Sequence, residues 1–89
     1  MRMGQWKKLV AKMRASPHKI RFDEVLALAK HLGFTWTVEG SHYSFSHPSH
    51  PYAIQVVRPH GGTSTVRPTY IRNLIRELER AQLLPSEDE

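Results

Sequence analysis

The chain has 89 residues, 39% of them apolar, with a formal net charge of +5 and no cysteine. That is enough for one modest core and too little for two, and it excludes a disulfide framework or a thiolate metal site. A basic balance of this size favours a polyanion or an acidic protein as partner, with a merely soluble basic surface as the plain alternative.

The opening stretch Met1-Arg2-Met3-Gly4-Gln5-Trp6-Lys7-Lys8 leads into an amphipathic pattern and not into the apolar block of a secretion signal. No apolar run reaches the ~20 residues that cross a bilayer, so the expected home is the cytoplasm, with no membrane partner. From residue 5 to about 15, Trp6, Leu9, Val10 and Met13 recur at helical spacing, with Lys7, Lys8, Lys12 and Arg14 elsewhere on the wheel. The apolar stripe is a docking face for a core and the lysines are a solvated face. Ser16-Pro17 stops this helix.

A second helix is expected from Asp23 to His31 or Leu32, capped by Asp23, with Phe22 packing back on its first turn. Val25, Leu26, Ala29 and Leu32 form its apolar face. Gly33 suits the left-handed residue after the helix, with Phe34 as the accompanying apolar contact. His31 falls in the last turn, where a cation is favoured, and reads as a helix-end residue and not as a ligand.

Phe34 to Glu39 alternates as a first strand with Phe34, Trp36 and Val38 inward. Gly40-Ser41 turns it into a second, from His42 to Ser46, in which Tyr43 and Phe45 face the core while His42, Ser44 and Ser46 face away. The loop His47-Pro48-Ser49-His50-Pro51 cannot join a central strand. Tyr52 to Arg58 reads as the third strand of an antiparallel meander, and Pro59 to Thr65 as a flexible loop. The last helix begins near Pro68, buries Ile71, Leu74, Ile75 and Leu78, carries Arg72, Arg76 and Arg80 on another face, and stops at Pro85. Residues 86–89 form an acidic tail beyond a single domain of residues 1–85. Because Glu87, Asp88 and Glu89 lie there, the rest carries thirteen basic side chains against five acidic ones.

The chemistry on offer is histidine chemistry. Six histidines invite a metal reading, and His42, His47, His50 and His60 fall in the sheet region. Their spacing matches no recognised ligand set, and Glu39 is the sole carboxylate nearby, so no metal or cofactor is expected. Gly61-Gly62 lacks the lysine of a phosphate loop. Ser41 and His42, adjacent on a strand, point to opposite faces, which argues against a Ser-His-carboxylate triad. A single histidine acting as general acid or base on RNA needs only reach and a held phosphate. His42, at the mouth of the hairpin on a polar face, fits that role.

Gly40-Ser41-His42, the aromatic and polar alternation after it, and then His47-Pro48 resemble the G-S-H-H-x-F-x-H-P stretch of HicA-type toxins. Arg58-Pro59-His60-Gly61-Gly62, then Val66-Arg67-Pro68 opening a helix with Ile71 and Leu74-Ile75, look like the same family. Phe22-Asp23-Glu24-Val25 to Leu32-Gly33-Phe34 is similar to its helix leading into the first strand. The similarity covers about residues 17 to 80. Tyr43 stands where a second histidine is frequent, and an extra helix precedes the minimal domain.

The resemblance implies an α+β fold like that of double-stranded-RNA-binding domains, a three-stranded antiparallel sheet with helices on one face, in the order α-α-β-β-β-α. It implies an mRNA-cleaving toxin that a HicB-type antitoxin neutralises, with His42 as the catalytic histidine. Lys30, Ser41, Arg58, His60 and Arg67 are the expected RNA contacts. A non-catalytic RNA-binding module of the same fold and a protein-binding domain with structural histidines are the other readings.

Overall fold

The computed structural model describes residues 3–60 and 65–84; Gly61 to Ser64 of the expected loop, Pro85 and the acidic tail lie outside them. Helix α1 (Met3–Ala15) is followed by a 3-10 turn (Pro17–Lys19), helix α2 (Phe22–His31), strands β1 (Thr35–Glu39), β2 (His42–Ser46) and β3 (Ile54–Val57), and helix α3 (Pro68–Arg80). The expected order of helices and strands is therefore present, with the short turn around the buried Pro17 as an addition.

The three strands form one antiparallel sheet in the order β1-β2-β3. Its register pairs Trp36 with Phe45, Val38 with Tyr43, and Phe45 with Ile54, so one face carries these apolar residues. Glu39, His42, Ser44 and Gln55 lie on the other. Phe45, Ile54 and Val56 are fully buried against the helices. Val25, Leu28, Ala29 and Leu32 of the α2 region meet Phe34, Phe45, Leu74 and Leu78 around a small interior void. Helix α1 adds Leu9, Val10 and Met13 to the same core. It is tied to α2 by Lys12–Glu24 at 3.1 Å and to α3 by Arg14–Glu79 at 3.3 Å.

Five expectations need correction. Val38 is 51% exposed although it points inward with Trp36. It lies on the outer strand near the hairpin, where Phe22 at the start of α2 packs edge-on against Tyr43, one strand further in, at 4.6 Å. Tyr52 is outside β3 and exposed, and its backbone C=O accepts from Nδ1–H of the His50 ring.

Asp23 is not the cap of α2. The helix starts at Phe22 after an extended Arg21, and the Glu24 carboxylate accepts the Arg21 N–H at 2.9 Å. Glu24 at the third helical position thus reaches back to the backbone N–H before the helix, and Asp23 lies inside the first turn.

Finally, α3 ends at Arg80, well before Pro85. Gln82 takes φ +57° there, and the Leu83 N–H donates to the Leu78 carbonyl at 3.0 Å. This is the same left-handed ending that Gly33 makes after α2, where the Phe34 N–H donates to the Ala29 carbonyl at 2.9 Å. Phe34 thus belongs to the helix ending and not to the first strand.

Candidate functional site

The site is built on the two-residue hairpin. Gly40 has φ +62° and Ser41 has negative φ, the pattern of a type II′ turn, which matches the twist of the strands it joins. That turn sets Glu39 directly opposite His42. Residues opposed in this way carry their Cβ atoms about 5 Å apart on one face.

His42 is exposed on the face away from the helices. With Thr37, Val38, Glu39, Ser44 and Gln55 it lines an open depression of about 440 Å³. Neither the Glu39 nor the His42 side chain is held by a hydrogen bond or ion pair among the described residues. The chemistry-bearing groups of this face are free to meet a ligand.

The fold brings the residues expected around His42 together only in part. Ser41 is at hand, its carbonyl accepting the Arg58 N–H at 2.8 Å. The Arg58 guanidinium, however, sits 5.8 Å from the centre of the Phe22 ring, on the helix side of the sheet. It reaches the hairpin end from behind His42 and not across the open face. Arg67 precedes the first turn of α3, close to the start of α2, because the Val66 N–H donates to the Ile20 carbonyl and Thr65 bridges to Arg21. His60 is exposed at the edge of the described residues.

Lys30 lies elsewhere. It is in the last turn of α2, which feeds the start of β1, whereas His42 faces the end of β1. A strand of this length separates the two ends by roughly 15 Å.

Arg21 is the cation that sequence reasoning passed over. It stands at the same end as Arg58 and Arg67, largely exposed, 3.5 Å from Asp23. Both helices start there, so the positive ends of two helix dipoles join these guanidinium groups. The signal was available only through the pairing of Arg21 with Thr65, which are far apart in sequence.

Three further histidines, His31, His47 and His50, have structural partners. The His47 Nδ1 accepts the Ser49 N–H at 2.9 Å, which fixes the proton on Nε2, and Nε2–H donates to the Leu32 carbonyl at 3.0 Å. His47 thereby closes the end of α2 and packs on Phe34. His50 bonds Glu77 at 2.9 Å through Nε2. His31 stacks on Trp6 of α1 with centroids 4.2 Å apart. No group of three or more histidine or carboxylate side chains among the described residues is placed to hold a metal ion, and no described helix is long and apolar enough to cross a membrane.

A family model described as the HicA toxin of bacterial toxin-antitoxin matches residues 22–81. No curated protein and no solved structure matches the chain at a significant level. The matched segment runs from the first residue of α2 to one residue past α3, so it takes in the whole sheet, the hairpin with His42, and both helices that back it, and leaves α1 outside. On that match the chain belongs to the HicA family of toxins from bacterial toxin-antitoxin systems.

Proposed function

We propose that this toxin is an endoribonuclease that cleaves mRNA in the cytoplasm by metal-independent acid–base chemistry at His42, and that a HicB-type antitoxin silences it by covering the same face. The observation that carries the reading is the free, exposed imidazole of His42 beside an open depression, at the end of the sheet where Arg21, Arg58 and Arg67 gather. An imidazole changes protonation near neutral pH, so the residue type suits proton transfer at a 2′-hydroxyl or a leaving oxygen. Ser41, Arg58, His60 and Arg67 hold the backbone at the hairpin end, with Arg21 added by the fold. Lys30, at the far end, contacts only a longer RNA.

Cleavage by internal attack forms the O2′–P bond as the P–O5′ bond breaks, and leaves a 2′,3′-cyclic phosphate and a 5′-hydroxyl. The test is to incubate the purified chain with RNA in EDTA and analyse the ends. Cyclic phosphate ends that vanish with His42→Ala support the reading; intact RNA with the wild-type chain overturns it. In that case a filter-binding assay separates an RNA-binding module, which retains RNA, from a protein-binding domain, which does not.

A further inference from the structure

We infer that Glu39 is the general base of the reaction, taking the proton of the 2′-hydroxyl, and that His42 is the general acid that protonates the leaving 5′-oxygen. The inference rests on the RNA-cleaving reading of this face and divides its chemistry between two residues.

Transesterification needs a proton acceptor on one side of the phosphorus and a proton donor on the other. The open face offers both. Its described residues alternate as Thr35, Thr37 and Glu39 on β1, His42, Ser44 and Ser46 on β2, and Gln55 and Val57 on β3. Among these only Glu39 and His42 carry groups of the acid–base type. The turn places them in direct register on neighbouring strands, about 5 Å apart at Cβ, and both line the same depression. Neither is spent on another partner: Glu39 makes no ion pair among the described residues, whereas Glu24, Glu77 and Glu79 each hold a cation. A carboxylate near an RNA backbone repels phosphate. The guanidinium groups of Arg21, Arg58 and Arg67 at this end offset that cost.

The step balances. The Glu39 carboxylate accepts the 2′-hydroxyl proton, the freed oxygen pair forms the O2′–P bond, and the P–O5′ bond breaks. The departing oxygen takes a proton from the His42 imidazolium. Glu39 is then a neutral acid and His42 a neutral imidazole. A proton passed from one to its cross-strand neighbour resets both.

The experiment compares wild type, Glu39→Gln, Glu39→Asp and His42→Ala on ordinary RNA and on RNA whose scissile 5′-oxygen is replaced by sulfur, a leaving group that needs no acid. General base catalysis by one group contributes about 10²–10⁴-fold. Glu39→Gln should therefore slow cleavage of ordinary RNA by at least ~10²-fold, with an unchanged melt and RNA binding equal to or tighter than wild type. Glu39→Asp should keep part of the rate. The wild-type rate should rise and then fall with pH, and Glu39→Gln should lose the rising, acidic limb. The sulfur substrate should restore cleavage by His42→Ala and leave Glu39→Gln slow.

If Glu39→Gln cuts at the parental rate while His42→Ala does not, the division of roles is wrong and the RNA-cleaving reading stands. If sulfur rescues Glu39→Gln instead, the roles are reversed and the inference is overturned. If the wild-type chain cuts neither substrate, both fall.

Discussion

His50 and Glu77, twenty-seven positions apart, meet at 2.9 Å between Nε2 and Oε2 and fasten the loop before β3 to the last turn of α3. The hydrogen bond to the Glu77 carboxylate, with a second donated to the Tyr52 carbonyl, raises the His50 pKa above its ordinary 6.5 against the opposing effects of burial and of the Arg80 charge. The same bond lowers Glu77 below its ordinary 4.5, helped by Arg80 and Arg76 and opposed by burial. Folded His50 holds its proton more tightly than unfolded His50. Its contribution is complete below about pH 6.5 and is lost as the pH rises through the raised value. Glu77 contributes fully above its ordinary value and loses that contribution as the pH falls through the lowered one. The pair should thus stabilise most between those two ordinary values. Melting temperatures of wild type and His50→Gln should differ most in that window and converge at alkaline pH; parallel curves from acid to alkali would count against it.

That pair could not be read from the chain, whereas the face on which His42 stands could. The register around His42 is local: a two-residue turn and strict alternation decide which face each side chain takes, and both are visible in Gly40-Ser41 and in His42 to Ser46. What escaped depends on distant packing. Val38 has the right parity for burial, but on the edge strand beside the hairpin it stays half exposed. Arg58 follows Val57, the cross-strand partner of His42, yet its alternation and the Phe22 ring draw it to the other side of the sheet. His47 and His50, in a proline-rich loop, gave no hint that each would be pinned by a partner fifteen or more positions away.

Helix α1 lies outside the family match but inside the core. Met13 is 1% exposed and Val10 is 3% exposed. Truncating a buried methionine to alanine costs about 2–5 kcal/mol, from lost transfer energy and the cavity left behind. Met13→Ala should therefore lower stability by about 2–4 kcal/mol in a urea melt, without touching the hairpin. A loss below about 0.5 kcal/mol would make α1 an appendage, since surface changes stay in that range.

The two left-handed positions Gly40 and Gln82 give a matched pair of opposite sign. At Gly40, with φ +62°, a Cβ would meet nothing within 4 Å, so the cost of Gly40→Ala is torsional alone. That cost is about 1–2 kcal/mol, and after the unfolded freedom that glycine gives up, about 0.5–1 kcal/mol, a net loss of roughly 0.5 kcal/mol or more should remain. Gln82 already carries that strain at φ +57°. Gln82→Gly should relieve it, and after glycine's extra unfolded freedom, about 0.5–1 kcal/mol, a net gain of roughly 0.5 kcal/mol should remain. Thermal melts of the two variants should move in opposite directions. A stabilising Gly40→Ala would show that the hairpin turn is not of the assigned type.

RNA binding should weaken steeply with salt, and the slope should report which cations touch phosphate. Each neutralised phosphate on a single strand adds about 0.7 to the slope of log K against log salt, because condensed counterions are released. Arg67 and Arg21 are exposed at the hairpin end, so Arg67→Ala and Arg21→Ala should each weaken binding and make the slope shallower by about one such step. Arg58 lies over the Phe22 ring, so its loss also removes a cation–π contact worth about 0.5–1 kcal/mol at an exposed site. Arg58→Ala should therefore lower both the melt and the slope, whereas Arg67→Ala should lower the slope alone. Lys30, at the opposite end of the sheet, should leave the slope unchanged on an RNA just long enough to cover the hairpin and reduce it only on a longer one. Binding that ignores ionic strength, or a slope that falls with Lys30→Ala on the short RNA and not with Arg67→Ala, would move the nucleic-acid surface away from His42.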